Sequence, residues 1–237
     1  MFADKVRLLR GEVESLADLP TKERVEHETR LSDAAMLPCA LLSGKGDDLA
    51  RMSPLAKQAL LSAVGAGAMA FGKTKPEPIL SAVTEVLSMA GDKAAAAAVR
   101  GSALATLAVI AQACGVRLVP HLPAAMAAVL TSGRAAAVRL SAAASKSSVV
   151  SIEPIEASGT SKKPTKAKGG VKHDDDNEAS MSTEEAAAVE LAAALAALTE
   201  LIRSLGAFLS PYLKEALQLV LDPVVSASCP SAAAAVR

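Results

Sequence analysis

The chain has 237 residues, of which 51% are apolar, and its formal net charge at pH 7 is zero. Alanine dominates the apolar residues, and only three Phe and one Tyr occur, so the composition excludes a sandwich or barrel and favours an all-α fold. Because the overall charge is neutral, it gives no reason to expect a nucleic acid or a membrane surface as a partner. Three widely spaced cysteines provide no disulfide framework.

The N-terminal segment, residues 1–50, is predicted to be helical. Apolar residues recur at three- and four-residue spacing between Val6 and Leu19, which indicates an amphipathic helix. Thr21 can cap a second, highly charged helix, and the composition of Gly44–Asp48 is typical of a loop.

Residues 51–145 are predicted to form HEAT-like helical repeats. Ser53-Pro54 combines a capping hydroxyl with proline at the first helical position, so a helix should begin there and stop at Gly72. Pro78 belongs to the opening of the next helix, and Asp92 is expected to cap the helix that follows it.

The most apolar stretch runs uncharged for sixteen residues, from Gly101 to Val116. It is short for a bilayer span and contains polar residues, so a buried core helix is predicted and no membrane is expected. An αL glycine at Gly115 should end this helix and Pro120 should start a second one. The resulting hairpin is predicted to end near Ser132-Gly133, before another short helix.

Residues 146–181 are rich in Ser, Lys, Gly, Thr and Asp and are predicted to be a disordered charged linker. Its basic side chains are the candidate RNA contacts, namely Lys162, Lys163, Lys166, Lys168 and Lys172. Aromatic residues are not interleaved with them, so base stacking is not indicated. The alternative is a solvated linker whose charge is partly cancelled by Asp174–Asp176.

A further HEAT-like repeat is predicted over residues 182–223, and residues 224–237 are predicted to be a flexible tail. Ser182–Glu185 has the spacing of a capping box, which marks the start of a long helix. Gly206 should stop that helix, and Pro211 should lie at the start of the next one.

These helices repeat along the chain. Shifted by 42 residues, Pro78 superposes on Pro120. Shifted by 91 residues, Gly115 superposes on Gly206, and the same shift superposes Pro120 on Pro211. A period near 42 is typical of HEAT or armadillo helix pairs, which must stack to bury their apolar faces. The predicted fold is therefore an α-solenoid of HEAT-like hairpins, and the alternative is an irregular helical bundle.

One motif points elsewhere, because Gly67–Thr74 matches the P-loop pattern for binding a nucleotide phosphate. A P-loop requires a preceding strand and backbone amides that curl round the phosphate. The chain offers no set of β-branched strands, and Met69 and Phe71 are bulky where a phosphate cradle needs small residues. Nucleotide binding is therefore the weaker interpretation.

The remaining reactive side chains form no recognisable catalytic or metal-binding set. The three histidines, His27, His121 and His173, are scattered, and no cysteine or carboxylate lies at metal-ligand spacing from them. No nucleophile and base can be paired either. We therefore expect a non-catalytic protein without cofactor, metal or small-molecule substrate.

Two turns carry a family resemblance: GVRLVPHLPAAM at Gly115–Met126 and FLSPYL at Phe208–Leu213, together with the charged insertion between them. Over residues 55–222 the chain resembles the U3 small nucleolar RNA-associated protein 10 family, also called HEAT repeat-containing protein 1. Since family members are very long solenoids, a chain of this length would be a fragment, a truncated gene model or a small paralogue.

The resemblance implies a non-catalytic scaffold of the small-subunit processome, acting in the nucleus and nucleolus in early pre-rRNA transcription and processing. It also implies other processome proteins as partners, with pre-rRNA or small nucleolar RNA as further candidates. The alternative is a generic HEAT or armadillo adaptor that binds proteins in transport or trafficking.

Overall fold

The computed structural model describes residues 21–44, 47–147 and 182–228. Within these ranges the chain is helical and contains no strand, so the predicted all-α class is confirmed. The α-helices are α1 (Thr21–Ser43), α2 (Asp47–Arg51), α3 (Pro54–Phe71), α4 (Pro76–Gly91), α5 (Ala97–Cys114), α6 (Leu122–Ser147), α7 (Thr183–Leu205), α8 (Leu213–Val220) and α9 (Pro223–Ser228). Short 3-10 segments at Gly115–His121, Gly206–Phe208 and Ser210–Tyr212 connect some of them.

The two strongest helix-start signals of the sequence are present in the structure. Ser53 Oγ accepts a hydrogen bond from the amide of Ala56 at 3.2 Å, and Pro54 is the first residue of α3. At α7, Ser182 Oγ accepts from the Glu185 amide at 3.1 Å, while a Glu185 carboxylate oxygen accepts from the Ser182 amide at 2.9 Å. This reciprocal pair satisfies amides that a helix start leaves without intrahelical partners.

The predicted αL conformation at Gly115 is wrong in detail. Gly115 has a φ of 55° with a ψ of −131°, a positive-φ conformation outside the αL region that still favours glycine. Gly72 and Gly206 follow their helices with φ of −61° and −47°, which any residue adopts. Only one of the three glycine stops therefore depends on the conformational freedom of glycine.

The predicted helix break at Ser132-Gly133 is also wrong, because α6 continues through both residues to Ser147. A Cβ atom on Gly133 would lie 2.8 Å from Leu219 Cδ2. Glycine here lets α8 approach α6 closely, and its cost in helix propensity does not end the helix. The sequence shows the glycine but not the helix that packs on it.

Two other predicted boundaries shift in the structure. Asp92 does not cap α5, which begins at Ala97; its carboxylate accepts from the amide of Ala94 at 2.8 Å and closes a turn within the α4–α5 connection. At the C-terminal end, α9 extends into the stretch predicted to be a flexible tail, and Val225 is buried there. The Val6–Leu19 helix and nearly all of the predicted linker lie outside the described residues.

The helices pack in two series, one of α3, α5 and α7 and the other of α4, α6 and α8. Helix α5 contacts α3 on one side and α7 on the other, while α6 contacts α4 and α8 in the same manner. The series meet where α4 packs on α5 and where α6 packs on α7. Contact between α5 and α6, the predicted hairpin, is slight, because the seven-residue 3-10 segment at Gly115–His121 separates the two helices.

The core follows the α5–α7 interface. Side chains of α5 that are fully buried include Leu104, Leu107 and Ile110. By length and composition alone, Ala97–Ala143 and Thr183–Phe208 could each cross a membrane. The apolar character of α5 is nonetheless accounted for by its burial between α3, α4 and α7.

Candidate functional site

A buried ion network joins α5, α6 and α7 at one end of the α5–α7 interface. Glu190 Oε1 accepts from Arg100 Nε at 3.0 Å, and Glu190 Oε2 accepts from Arg100 Nη2 at 2.8 Å. Glu190 Oε2 also accepts from Arg139 Nη2 at 2.7 Å. The Glu190 side chain is 1% exposed and that of Arg100 is 9% exposed, whereas Arg139 is 35% exposed. One buried carboxylate thus binds two guanidinium groups.

Arg100 and Glu190 both occupy positions that are unfavourable for a charged side chain. Arg100 is in the first turns of α5, where the positive end of the helix dipole disfavours a cation. Glu190 lies on the apolar face of α7, between the buried residues Ala187 and Ala194. A bidentate carboxylate offsets the unfavourable dipole and the desolvation of Arg100, and Arg100 Nη1 also donates to the Ala95 carbonyl.

A surface cleft of about 470 Å³ opens beside this network. We call it the basic cleft, and its lining comprises Ala90, Gly91, Lys93, Arg100, Thr131, Ser132, Arg134, Ala135, Val138, Arg139 and Glu190. Its lining contains four basic side chains and one carboxylate, which leaves a formal excess of three positive charges. Two of its lining residues are joined by a hydrogen bond, which Ser132 Oγ donates to the Ala90 carbonyl at 2.9 Å.

The cationic groups of the basic cleft differ in how well they are neutralised. Arg100 is fully engaged, and Arg134 Nη2 lies 3.3 Å from Glu215, with both side chains about half exposed. Lys93 is exposed and has no ion-pair partner among the described residues. Arg139 Nε is buried and has no hydrogen-bond acceptor within the described parts of the chain. Arg139 Nη1 also has no acceptor there, and this side chain is 35% exposed, so Lys93 and the Nη1 end of Arg139 are the groups with unused capacity to bind an anion.

A second cleft, of about 320 Å³, adjoins the basic cleft on α6. The two share Arg134 and Val138, and the second is completed by residues of α8 and α9 such as Leu219 and Val224. Val138 is 66% exposed although it is apolar. The two clefts are therefore neighbours on α6, with the positive charge concentrated in the basic cleft, and we call them together the groove on α6.

The residues predicted from the sequence lie elsewhere. Lys162, Lys163, Lys166, Lys168 and Lys172 all fall outside the described residues. Pro78 lies in the first turn of α4. Pro120 lies in the 3-10 segment that Gly115 begins, and Pro211 lies in the 3-10 segment that follows the one beginning at Gly206. None of these glycines and prolines lines the basic cleft.

The network itself was missed at the level of the sequence. Arg100 directly precedes the uncharged run Gly101–Val116, and nothing in the sequence marks Arg100 or Arg139 as a partner of Glu190. The available signal was Glu190, a carboxylate at a position where the helical periodicity of α7 calls for an apolar residue. A buried carboxylate requires a cationic partner, but the sequence does not identify which one.

The P-loop-like motif does not have P-loop geometry. Gly67 to Phe71 lie inside α3, and no strand precedes them in the described chain. The Gly72 amide donates to the Ala68 carbonyl at 2.8 Å, and the Thr74 amide donates to the Phe71 carbonyl at 3.0 Å. These amides are used within the chain, so they do not form a phosphate cradle.

Among the described residues, no group of three or more His, Cys, Asp or Glu side chains could hold a metal ion. Two cysteines are buried: burial raises the pKa of the Cys39 thiol from 9.0 to about 11, and nearby Cys114 adds to the rise. Burial also raises the pKa of Cys114, against the opposing charge of Arg117. Both thiols therefore stay protonated at neutral pH.

Comparison with protein-family models, with curated proteins and with solved structures finds no match to this chain.

Proposed function

We propose that the chain is a non-catalytic helical-repeat scaffold of the HEAT type that binds protein partners. The observation that carries the proposal is that residues one sequence period apart contact one another. Ser132 Oγ donates to the carbonyl of Ala90, 42 residues earlier, and Lys75 Nζ contacts Asp33 across the same separation at 3.1 Å. Contacts at one repeat length are what a stack of equivalent units produces.

Two further contacts support the stacked arrangement. Cys114 Sγ lies 4.0 Å from the carbonyl oxygen of Gly72, again 42 residues earlier. Arg100 and Glu190 are 90 residues apart, close to the 91-residue offset at which the sequence superposes on itself. Helices α3, α5 and α7 contact one another in succession, and so do α4, α6 and α8. This arrangement supports a solenoid of helix pairs.

The groove on α6 supports a binding role for such a scaffold. Solenoids present extended surfaces formed by several repeats, and this groove draws side chains from α4 to α9. Its exposed Val138 and its excess of positive charge are features of a surface that another molecule covers.

The narrower proposal is a role in the small-subunit processome, in early pre-rRNA transcription and processing, in the nucleolus. It rests on the resemblance of the Gly115–Met126 and Phe208–Leu213 turns to the U3 small nucleolar RNA-associated protein 10 family. Processome proteins would then be the partners, with pre-rRNA or small nucleolar RNA contacted directly or through them. A generic HEAT adaptor in transport or trafficking shares the fold and differs in its partners.

Crosslinking in cells tests the narrower proposal. A tagged chain is crosslinked, and the attached proteins and RNAs are identified by mass spectrometry and sequencing against a tag-only control. Processome proteins together with pre-rRNA are expected. A reproducible set of transport or trafficking proteins without pre-rRNA would replace this role with that of a general adaptor.

Nucleotide binding is tested separately, because it would contradict the non-catalytic scaffold most directly. ATP and GTP are titrated into the chain with and without Mg²⁺, and the same titration is made on Lys73→Ala. No saturable binding is expected. Micromolar, magnesium-dependent binding that Lys73→Ala abolishes would overturn the proposal.

A further inference from the structure

We propose that the basic cleft binds an acidic segment of a protein partner, with a side-chain carboxylate held between Arg139 and Lys93. The inference rests on the proposed function as a protein-binding scaffold and assigns the chemistry of one contact. It concerns a peptide carboxylate and not the RNA contact expected of the lysine cluster.

The first step is the geometry of Arg139. Its Nη2 donates to Glu190 Oε2, while its Nη1 has no acceptor among the described residues and the side chain is 35% exposed. Nη1 and Nη2 together form the end of the guanidinium group, and Nη2 keeps one N–H beyond the one that it donates to Glu190. A ligand carboxylate can accept from this open end of Arg139, whereas Nε is closed off from solvent.

The second step is charge. Lys93 is exposed without a described ion-pair partner, and Arg134 is only loosely paired with Glu215 at 3.3 Å. Together with Arg139 they surround the cleft on the α4–α5 connection and on α6. An anion there meets three cations from two parts of the fold, which is the complementarity that attracts and orients a charged partner.

The third step selects a carboxylate over a phosphate. Glu190 is buried at the edge of the cleft and pairs there with two arginines. A doubly charged phosphate beside this carboxylate would be repelled more strongly than a singly charged carboxylate. The partner residue that binds Arg139 should therefore be Asp or Glu.

The fourth step selects a peptide over RNA. The remaining walls of the cleft are apolar or small, including Ala90, Ala135 and Val138, and no aromatic side chain lines it. Base stacking therefore has no aromatic platform, while a peptide can place an apolar side chain on Val138 beside its carboxylate. A cleft of about 470 Å³ has room for a few side chains of a peptide.

The test is selection of peptides on the full chain. A displayed library of random 12-residue peptides is panned against it at low salt, and the best binder is labelled for fluorescence anisotropy. We expect Asp or Glu beside an apolar residue in the selected peptides, and affinity that falls as salt is raised. A Glu→Gln or Asp→Asn version of the best peptide should bind at least about tenfold more weakly.

Matched variants locate the binding. The double variant Lys93→Ala/Arg134→Ala changes two exposed cleft cations and should weaken binding at least about tenfold. The control Lys22→Ala/Lys57→Ala removes the same charge away from the cleft and should change affinity less than about twofold. Arg139→Lys keeps the charge without the planar fork, so it should bind more weakly than the unaltered chain but more tightly than Arg139→Gln.

Several results would overturn the inference. One is that the library yields no peptide, or only peptides without acidic residues. Another is that the cleft and control double variants weaken binding equally. A third is that a labelled 20-nucleotide RNA binds more tightly than the peptides and depends on Lys93 and Arg134. Circular dichroism of each variant identifies any loss caused by unfolding. If the double cleft variant still crosslinks to the same partners in cells, the scaffold stands and the cleft is not its contact.

Discussion

Arg100 and Glu190 form a bidentate ion pair across 90 residues of sequence, with 9% and 1% of their side chains exposed. The pair joins α5 to α7, the helices with the most extensive interface in the described chain. Because Arg139 binds the same carboxylate, the network also ties α6 to this interface. Charge, as well as apolar packing, therefore fixes how α7 sits on the preceding helices.

Glu190→Gln should lower the free energy of unfolding by about 3–5 kcal/mol, because it leaves the buried Arg100 cation without its carboxylate. Urea denaturation followed by circular dichroism measures the change. The matched control is Glu215→Gln, which breaks an exposed contact with Arg134 and should cost less than about 1 kcal/mol. Equal effects of the two variants would contradict the assigned importance of burial.

Gly67 and Gly206 should respond to alanine in opposite directions. A Cβ on Gly67 would lie 2.7 Å from the Ala35 carbonyl oxygen, a backbone atom of α1, so Gly67→Ala should destabilise the fold by about 1–3 kcal/mol. Gly206 has nothing within 4 Å of its Cβ position and a φ of −47°. Gly206→Ala should stabilise by about 0.4–1 kcal/mol, since alanine loses less backbone entropy on folding. Thermal unfolding of both variants separates a packing glycine from a dispensable one.

Leu107→Ala should cost about 2–5 kcal/mol, because the side chain is fully buried in the centre of α5 and its truncation leaves a cavity. Leu55→Ala serves as the control, since Leu55 is 72% exposed and its truncation should change stability by less than about 0.5 kcal/mol. Urea denaturation gives both changes in the free energy of unfolding from the shift in the midpoint, provided that the m-value is unchanged. A cost below 1 kcal/mol at Leu107 would be incompatible with the described α5–α7 core.

Stability should fall as the pH rises above 9. The pKa of the Cys39 thiol is about 11 in the folded protein and 9.0 in the unfolded chain. Above pH 9 the thiol therefore stays neutral in the folded protein while it begins to ionise in the unfolded chain. Its contribution is fully present below pH 9 and is lost progressively up to about pH 11. Urea denaturation at pH 8, 9 and 10 should show this decline, and Cys39→Val should make it shallower. An unchanged slope would show that Cys39 does not titrate as proposed.

The helix starts were predictable because their signals are local. A capping hydroxyl before proline marks α3 at Ser53, and the reciprocal pair of Ser182 and Glu185 marks α7 within four residues of sequence. The break at Gly133 could not be judged in this way. Whether a helical glycine ends a helix or admits a neighbour depends on Leu219, which lies 86 residues further along the chain.

The basic cleft was not predictable for a related reason. Its charged groups come from the α4–α5 connection, from α6 and from α7, and each is unremarkable in its own segment. Only packing places Glu190 between Arg100 and Arg139 and leaves Arg139 Nε without a partner in the described chain. The lysine cluster, in contrast, stands out in the sequence because its residues are close together in the chain.

Helix α7 rests on α5 and α6 through a core of leucines and an ion network, although 35 residues separate Ser147 from Thr183. Its own surface therefore provides contacts that place it in the fold. Cutting the chain between Ser147 and Ser182 should yield two polypeptides that reassemble with one another. Protease action in a cell at that point would then leave a noncovalent heterodimer, with the groove on α6 still intact.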